Sequence, residues 1–437
     1  MPDGGLQALM AEMDRETRFT MDTSSIKYGP GATREVGADM ARFGGRRVMV
    51  VTDPRLAGGE TVATVMDSLK AEGIEAVLYD RVRVEPTDTT FMEAAAFATE
   101  GNFDGYVAVG GGSVMDTAKA ANLYATYPAP LLTYVNAPIG EARPVPGPLK
   151  PLIAIPTTAG TGSETTGVAI FDLESMHAKT GIAHRALRPV MGIIDPDNTR
   201  TMPAMVAACS ALDVLSHAVE SFTALPYDTR AAAQHPSLRP AYQGANPISD
   251  IWSSKAMDAM ARNIIQVVQD PGDEEARGEM LLAAAYAGIG FGNAGVHLPH
   301  GMSYPVSGLV REYRPEGYPQ DHAIVPHGMS VILNAPSVFR WTARANPGRH
   351  LEAARLLGAE TRDAADEDAG DILAGAIIDI MQKVGIPNGL AAVGFGPEDV
   401  DALVAGTVPQ HRVTKLSPRP ASEDDLRQLF LGAMSYW

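Results

Sequence analysis

The chain has 437 residues, 45% of them hydrophobic, with 52 acidic against 35 basic side chains and a formal net charge of −17. That length exceeds one typical core and predicts two domains, while the charge argues against nucleic acid or an anionic membrane surface as partner and makes any anionic substrate depend on a local basic pocket. A single cysteine, Cys209, rules out an intramolecular disulfide framework and fits a reducing compartment.

The first residues, MPDGGLQALMAEMDRETRF, mix acids with few bases and hold no long apolar stretch, so they match neither a signal peptide nor an Arg-rich transit peptide. No run approaches the roughly 20 apolar residues that cross a bilayer. These observations lead to the expectation of a cytoplasmic protein with no membrane contact. From about Arg46 to Asp195, apolar runs at Val48–Thr52, Ala76–Tyr79, Tyr106–Val109, Leu152–Ile155 and Met191–Asp195 alternate with helical stretches at Thr61–Glu72, Thr89–Thr99 and Ser113–Ala125. The alternation predicts an α/β unit with a mainly parallel sheet covered on both faces.

The third run leads into Gly110, Gly111, Gly112 and Ser113 and then an alanine-rich helix. Residues without Cβ let backbone N–H groups approach an anion, and the helix N-terminus adds its dipole. One such turn is as often only a tight turn. The fourth run, however, leads into a second loop of glycine and hydroxyl groups, with Thr157, Thr158, Gly160, Thr161, Gly162 and Ser163. Two phosphate-sized loops in one α/β unit point to a dinucleotide.

Beyond Thr201 the pattern changes to long alanine- and leucine-rich helical segments at Pro203–Phe222, Asp250–Gln269, Asp273–Phe291 and Leu351–Leu357. The expected division is therefore an α/β domain over 1–201 and an all-helical domain over 202–437. Leu225–Asp250 and Arg311–Pro326 read as ordered loops. In the first of these helices Asp213 and His217 stand at i,i+4, on one face, and Cys209 reads as a small buried residue. His300 and His327 each precede a glycine, which allows close backbone approach. One carboxylate and three imidazoles suit a divalent first-row metal, iron or zinc, with room for a substrate oxygen. Any one of the four, alone, reads equally as a capping or core residue.

The segments GGGSVMDTAKA, IPTTAGTGSE, the Asp213/His217 helix, HGM at His300 and PHG at His327 resemble, in order and along nearly the whole chain, the iron-containing (group III) alcohol dehydrogenases. Within that family, SSIKYGPGATREVG, VRVEPTD, GSETTGVAIFD, RPAYQGANPISDIW, FGNAGVHLPHGMSYPVSGLV and RVTKLSPRP are similar to the hydroxyacid–oxoacid transhydrogenases. The resemblance implies a dehydroquinate synthase-like fold, a metal on Asp213, His217, His300 and His327, and NAD between the domains. It also implies pyrophosphate on Gly110, Gly111, Gly112 and Ser113, with Asp116 near the nicotinamide ribose or amide. Thr157, Thr158 and Thr161 would line the cofactor, Lys179 would reach a ribose, and Asp53 would accept the adenosine ribose and favour NAD over NADP.

Two departures from the family pattern are candidate catalytic residues. Tyr304 replaces a second histidine four residues after the HGM histidine, and a phenol with a pKa near 10 is a poorer proton acceptor. His297 stands where many members have glycine, and at i,i+3 from His300 it is expected behind the ligands or against substrate.

The activity the resemblance implies is hydride transfer, through bound NAD, from a hydroxyacid such as 4-hydroxybutyrate to an oxoacid such as 2-oxoglutarate, by a homo-oligomer. A substrate carboxylate calls for a cation, preferably the arginine fork. Arg239, in the RPAYQG loop, is the first candidate, ahead of Arg143, Arg311 and Arg314. Two other activities fit the same motifs: an NAD-dependent alcohol or diol dehydrogenase, and a metal- and NAD-dependent carbon–oxygen lyase of the dehydroquinate synthase type. The lyase needs a basic cluster, for which the HGM and PHG segments offer few residues. A non-catalytic scaffold is the weakest reading, because the ligands and both loops are intact.

Overall fold

A computed structural model describes residues 15–176 and 178–437, so the segment read for targeting signals lies, up to residue 14, outside the described residues. Eight strands occur among them: β1 (Ser25–Tyr28), β2 (Arg47–Val51), β3 (Glu75–Tyr79), β4 (Gly105–Gly110), β5 (Leu152–Pro156), β6 (Val168–Leu173), β7 (Ala178–Ala183) and β8 (Met191–Ile194). Six of them form one sheet in the order β1-β8-β5-β4-β2-β3, with every pair parallel. β6 and β7 form a separate antiparallel hairpin.

The side-chain period of two explains why the apolar runs had to become central strands. Val48, Val50, Val107, Val109, Ile153 and Ile155 point to one face, against Val62, Val65 and Leu69 of the Glu60–Ala71 helix. Met49, Val51, Tyr106, Ala108 and Ala154 point to the other, against Ala94 and Ala98 of one helix and Ala118 of the next.

After Ile194 the helical half begins with the Ala204–Thr223 helix, of which every residue from Ala211 to Thr223 is buried. Its apolar composition gives it a mean hydropathy of 1.2 over an 18-residue window, enough to pass for a membrane span. This corrects the expectation that no stretch reaches that level. Since 83% of the window is buried inside the protein, the helix serves here as the core of the helical half. The helices Glu274–Ala294 and Leu298–Gly308 meet at a 105° bend, at Gly295 with its φ of +98°, and the bend turns His300 back toward the Ala204–Thr223 helix.

The second glycine loop packs directly on the Glu274–Ala294 helix. A Cβ on Gly288 would lie 2.2 Å from Thr165 Oγ1 and 2.7 Å from the Gly162 carbonyl oxygen. Backbone thus meets backbone where the second glycine loop touches the helical half. Gly288→Ala is expected to destabilise the protein by about 1–3 kcal/mol, the usual cost of overpacking. Chemical denaturation measures this; unchanged stability would show that the contact yields freely.

Candidate active site

The Ala204–Thr223 helix presents Asp213 and His217 one turn apart, and the bend at Gly295 and the short His327–Ile332 helix bring the other two imidazoles to them. A Cβ on Gly328 would lie 2.0 Å from the Cys209 carbonyl oxygen and 2.8 Å from Asp213 Cβ, so glycine after His327 is what permits this approach. Asp213 Oδ1 is 3.7 Å from Nε2 of His217, of His300 and of His327. These separations are too long for hydrogen bonds. One ligand atom from each of the four residues lies within 4.8 Å of all the others.

Asp213 Oδ1 and His300 Nε2 are buried without a hydrogen-bond partner, a costly state for polar atoms unless something else binds them. Donors about 2.0–2.2 Å from one ion stand roughly 3.4 Å apart in a tetrahedral set. The four residues therefore fit a divalent metal. Burial pushes the Asp213 carboxyl up to about 7, and pushes His327 down to about 3 and His217 well below its usual range. Neutral imidazoles with free lone pairs are what a metal requires. His217 stacks on Phe291 with ring centroids 3.9 Å apart, which fixes its plane.

A cleft of about 420 Å³ leads to this cluster from the ends of the parallel strands. Asp53 lines it beyond β2, followed by Gly111, Gly112 and Ser113 after β4, and by Thr157, Thr158 and Thr161 after β5. It reaches Asp213 and His327. An inner cleft of about 120 Å³ shares Gly112, Ser113 and Thr161 with it and adds Asp116, Lys179, His217, His300, Tyr304 and Arg412. The two loops are locked together: Asp116 accepts hydrogen bonds from Ser163 Oγ at 2.8 Å and Ile170 N at 2.9 Å. Buried Lys119 donates to Ser163 Oγ at 2.5 Å and to the Val168 carbonyl at 2.8 Å. Asp53 is half-buried, and its Oδ1 accepts from Arg55 N at 2.8 Å and Leu56 N at 3.2 Å. Lys179 is buried, its ammonium held by Glu85 and by Asp172 at 3.0 Å. Cys209 is buried as expected, and burial lifts its thiol to about 12.

Gly110 and Arg239 differ from the sequence reading, and His297 takes one of the two places expected for it, behind the His300 imidazole through Glu220. Gly110 is the last residue of β4 and lies behind the cleft; a Cβ there would meet Val114 Cγ2 at 2.5 Å, so this glycine serves packing. His297 does not line the cleft. It is the residue capping the Leu298–Gly308 helix, its Nε2 is 3.1 Å from Thr223 Oγ1, and its ring packs edge-on against Phe339. Arg239 is paired with Glu16 at 2.8 Å, away from both clefts. Arg143 and Arg311 likewise pair with nearby carboxylates at exposed positions, and Arg314 donates to the Glu312 carbonyl.

The sequence reading also missed three residues. Glu220, fully buried, accepts from His300 Nδ1 at 2.6 Å and from His297 N at 2.7 Å. It holds the His300 proton on Nδ1 and so leaves the Nε2 lone pair facing Asp213. Its position seven residues after Asp213 and three after His217 on the same helix was the available signal. Glu85, with a left-handed φ of +55°, lines both clefts, receives Lys179 and donates its backbone N–H to Ser113 Oγ at 3.1 Å. Arg412, from the RVTKLSPRP segment, donates to the Tyr304 hydroxyl at 3.1 Å. Glu220→Gln is expected to weaken metal affinity about 10–100-fold by removing this support. Affinity should also fall as pH drops below about 7, because Asp213 must lose its proton to ligate. Competition with a chelator across pH measures both, and equal affinity in the variant would remove Glu220 from the site.

Two family models match: iron-containing alcohol dehydrogenase over residues 23–196, and the C-terminal part of the Fe-containing alcohol dehydrogenase family over residues 241–434. The mitochondrial hydroxyacid–oxoacid transhydrogenases of Bos taurus and Homo sapiens are each 55% identical over 421 residues, spanning 96% of this chain and 90% of theirs. A crystal structure of 1,3-propanediol oxidoreductase superposes with a TM-score of 0.83 at 27% identity, covering 95% of this chain and 100% of that one. The mitochondrial designation of the relatives overturns the cytoplasmic expectation. That expectation rested on the first residues, which match neither a signal peptide nor an Arg-rich transit peptide, and on the lack of a long apolar run. The chain belongs to the iron-containing alcohol dehydrogenase family of oxidoreductases.

Proposed function

We propose that the protein is a hydroxyacid–oxoacid transhydrogenase, with residues 1–201 holding NAD and residues 202–437 holding a divalent metal, Fe(II) ahead of Zn(II). The observation that carries the proposal is the meeting of two sets of residues in one small cleft. Gly112, Ser113 and Asp116 stand on one side of it and Asp213, His217, His300 and His327 on the other. Its volume of about 120 Å³ suits a short-chain substrate. Sequence similarity to named transhydrogenases over nearly the whole chain favours the acid pair over a simple alcohol.

When bound, the metal supplies Lewis-acid polarisation of the substrate oxygen and NAD supplies the hydride acceptor. Gly111, Gly112 and Ser113 bind the pyrophosphate through their backbone. Thr157, Thr158 and Thr161 line its other side, and Asp116 and Lys179 bound the nicotinamide end. Glu220 keeps the proton on His300 Nδ1 throughout. Burial of Asp213, His217 and His300 keeps bulk water from them, which strengthens these interactions. Over both half-reactions the hydroxyacid loses a hydride and its hydroxyl proton, two electrons and two protons in all, and the oxoacid gains the same, so no external oxidant is needed.

Asp53 bounds the far end of the larger cleft, where its charge opposes a 2′-phosphate. Asp53→Ser is expected to raise kcat/KM for NADP relative to NAD in an NAD-linked assay, and an unchanged ratio would take selectivity away from this residue. For the reaction itself, deuterium from labelled 4-hydroxybutyrate should appear in 2-hydroxyglutarate with purified protein and no added NAD. Label that appears only with added NAD, beside faster turnover of a neutral diol, would replace this reading with an ordinary dehydrogenase.

A further inference from the structure

Of the cations lining the inner cleft, Lys179 is already neutralised by Glu85 and Asp172. Arg412 is different. Its guanidinium has no carboxylate partner among the described residues. It donates through one nitrogen to the Tyr304 hydroxyl at 3.1 Å and lies 5.1 Å from the centroid of the Tyr242 ring. The other terminal nitrogen, Nη1, is buried with no hydrogen-bond partner. An arginine stays charged at any physiological pH, so it cannot relieve its burial by losing a proton. A buried guanidinium with an idle donor is costly unless an anion comes to it.

The surroundings point the same way. Arg412 and Tyr242 also line a neighbouring cavity of about 450 Å³, together with His411 and Lys415. The guanidinium therefore stands in the wall between that cavity and the metal-side cleft. Lys415 reaches the surface, yet desolvation of its inner part and then the like charges of Arg412 and Arg230 push it below its ordinary range. In a chain of net charge −17, this is a local concentration of positive charge next to the reaction site.

We propose that Arg412, oriented by the Tyr304 hydroxyl, is the carboxylate receptor of this active site and the residue that makes an acid the preferred substrate over a neutral alcohol. The inference rests on the transhydrogenase reading and deepens it. Hydroxyacid and oxoacid both carry a carboxylate on the chain that bears the reacting carbon, so one arginine serves both half-reactions. Arg412 binds and positions, and takes no part in moving the hydride.

The test compares full-length, metal-loaded wild type, Arg412→Gln and Arg412→Lys on 4-hydroxybutyrate and on 1,4-butanediol, in which CH2OH replaces the carboxylate. Arg412→Gln should lower kcat/KM for the acid by about 30-fold or more, chiefly through KM, as expected for one lost charge-assisted contact. The ratio of acid to diol kcat/KM should fall by nearly the same factor, and Arg412→Lys should restore part of it. Equal losses on acid and diol, or no loss on either, would overturn the proposal. Should Arg412→Gln fail to fold or to bind NAD, Arg412→Lys decides through competitive inhibition by glutarate. A clearly weaker inhibition constant than wild type supports the assignment, and an equal one overturns it. Wild-type protein that oxidises the diol yet exchanges no deuterium between acids removes the transhydrogenase reading. Wild-type exchange that persists with unchanged KM in Arg412→Gln removes only Arg412.

Discussion

A carboxylate taken out of water at the centre of the helical half is the constraint on which the rest of this structure depends. Asp213 Oδ1 is surrounded by three imidazole nitrogens, none within hydrogen-bond reach. Such an atom is tolerable in a core only if a cation balances it. The surrounding architecture answers that need: a 20-residue helix to seat the carboxylate, a bend at Gly295 to deliver His300, and a glycine at 328 so that a third segment can come down onto the helix backbone. Glu220 extends the arrangement one layer outward by fixing the proton of the imidazole it touches.

The parallel sheet has a different physical logic, and the two meet without a long connector between them. Strand ends carry the two glycine loops, and the Asp116–Ser163–Lys119 hydrogen bonds hold them at one spacing. The loop pair is then pressed against the helical half at Gly162 and Gly288. The position of the two loops relative to the Asp213 cluster is thus set by backbone contact, which has little compliance. A reaction that depends on the separation of two bound groups benefits from such stiffness.

Much of this was legible in the chain. Four central strands announced themselves because both faces of a parallel sheet are apolar, and the edge strand β3 kept a short apolar run at Ala76–Tyr79. β1 did not, since an edge strand with mostly exposed side chains carries no apolar run. The β6–β7 hairpin joins two strands adjacent in sequence, and it was hidden because the AKTGIA of β7 carries no apolar run. The cluster of Asp213, His217, His300 and His327, which could hold a metal, was readable from local spacing and its glycine neighbours. His297, read as standing behind the ligands or against substrate, caps the helix and meets His300 only through Glu220. The choice of Arg239 failed for a more general reason: Glu16 and Arg239 are far apart in sequence, as are Tyr304 and Arg412, and only folding shows which arginine is already paired. Sequence likeness in RVTKLSPRP marked the right segment without indicating which of its residues mattered.

The Ala204–Thr223 helix carries one more consequence, for the chain before it has folded. By hydropathy the segment could enter a bilayer, and such a segment in a nascent or unfolded chain competes for lipid. A carboxylate at the centre of an apolar helix opposes insertion by about 2.5–3.5 kcal/mol. Asp213 lies at the middle of the segment and Glu220 one heptad further on. The residue at the centre of the candidate metal cluster thus also biases the unfolded segment away from lipid, and replacing it with an apolar side chain would alter where the chain goes as well as what it binds.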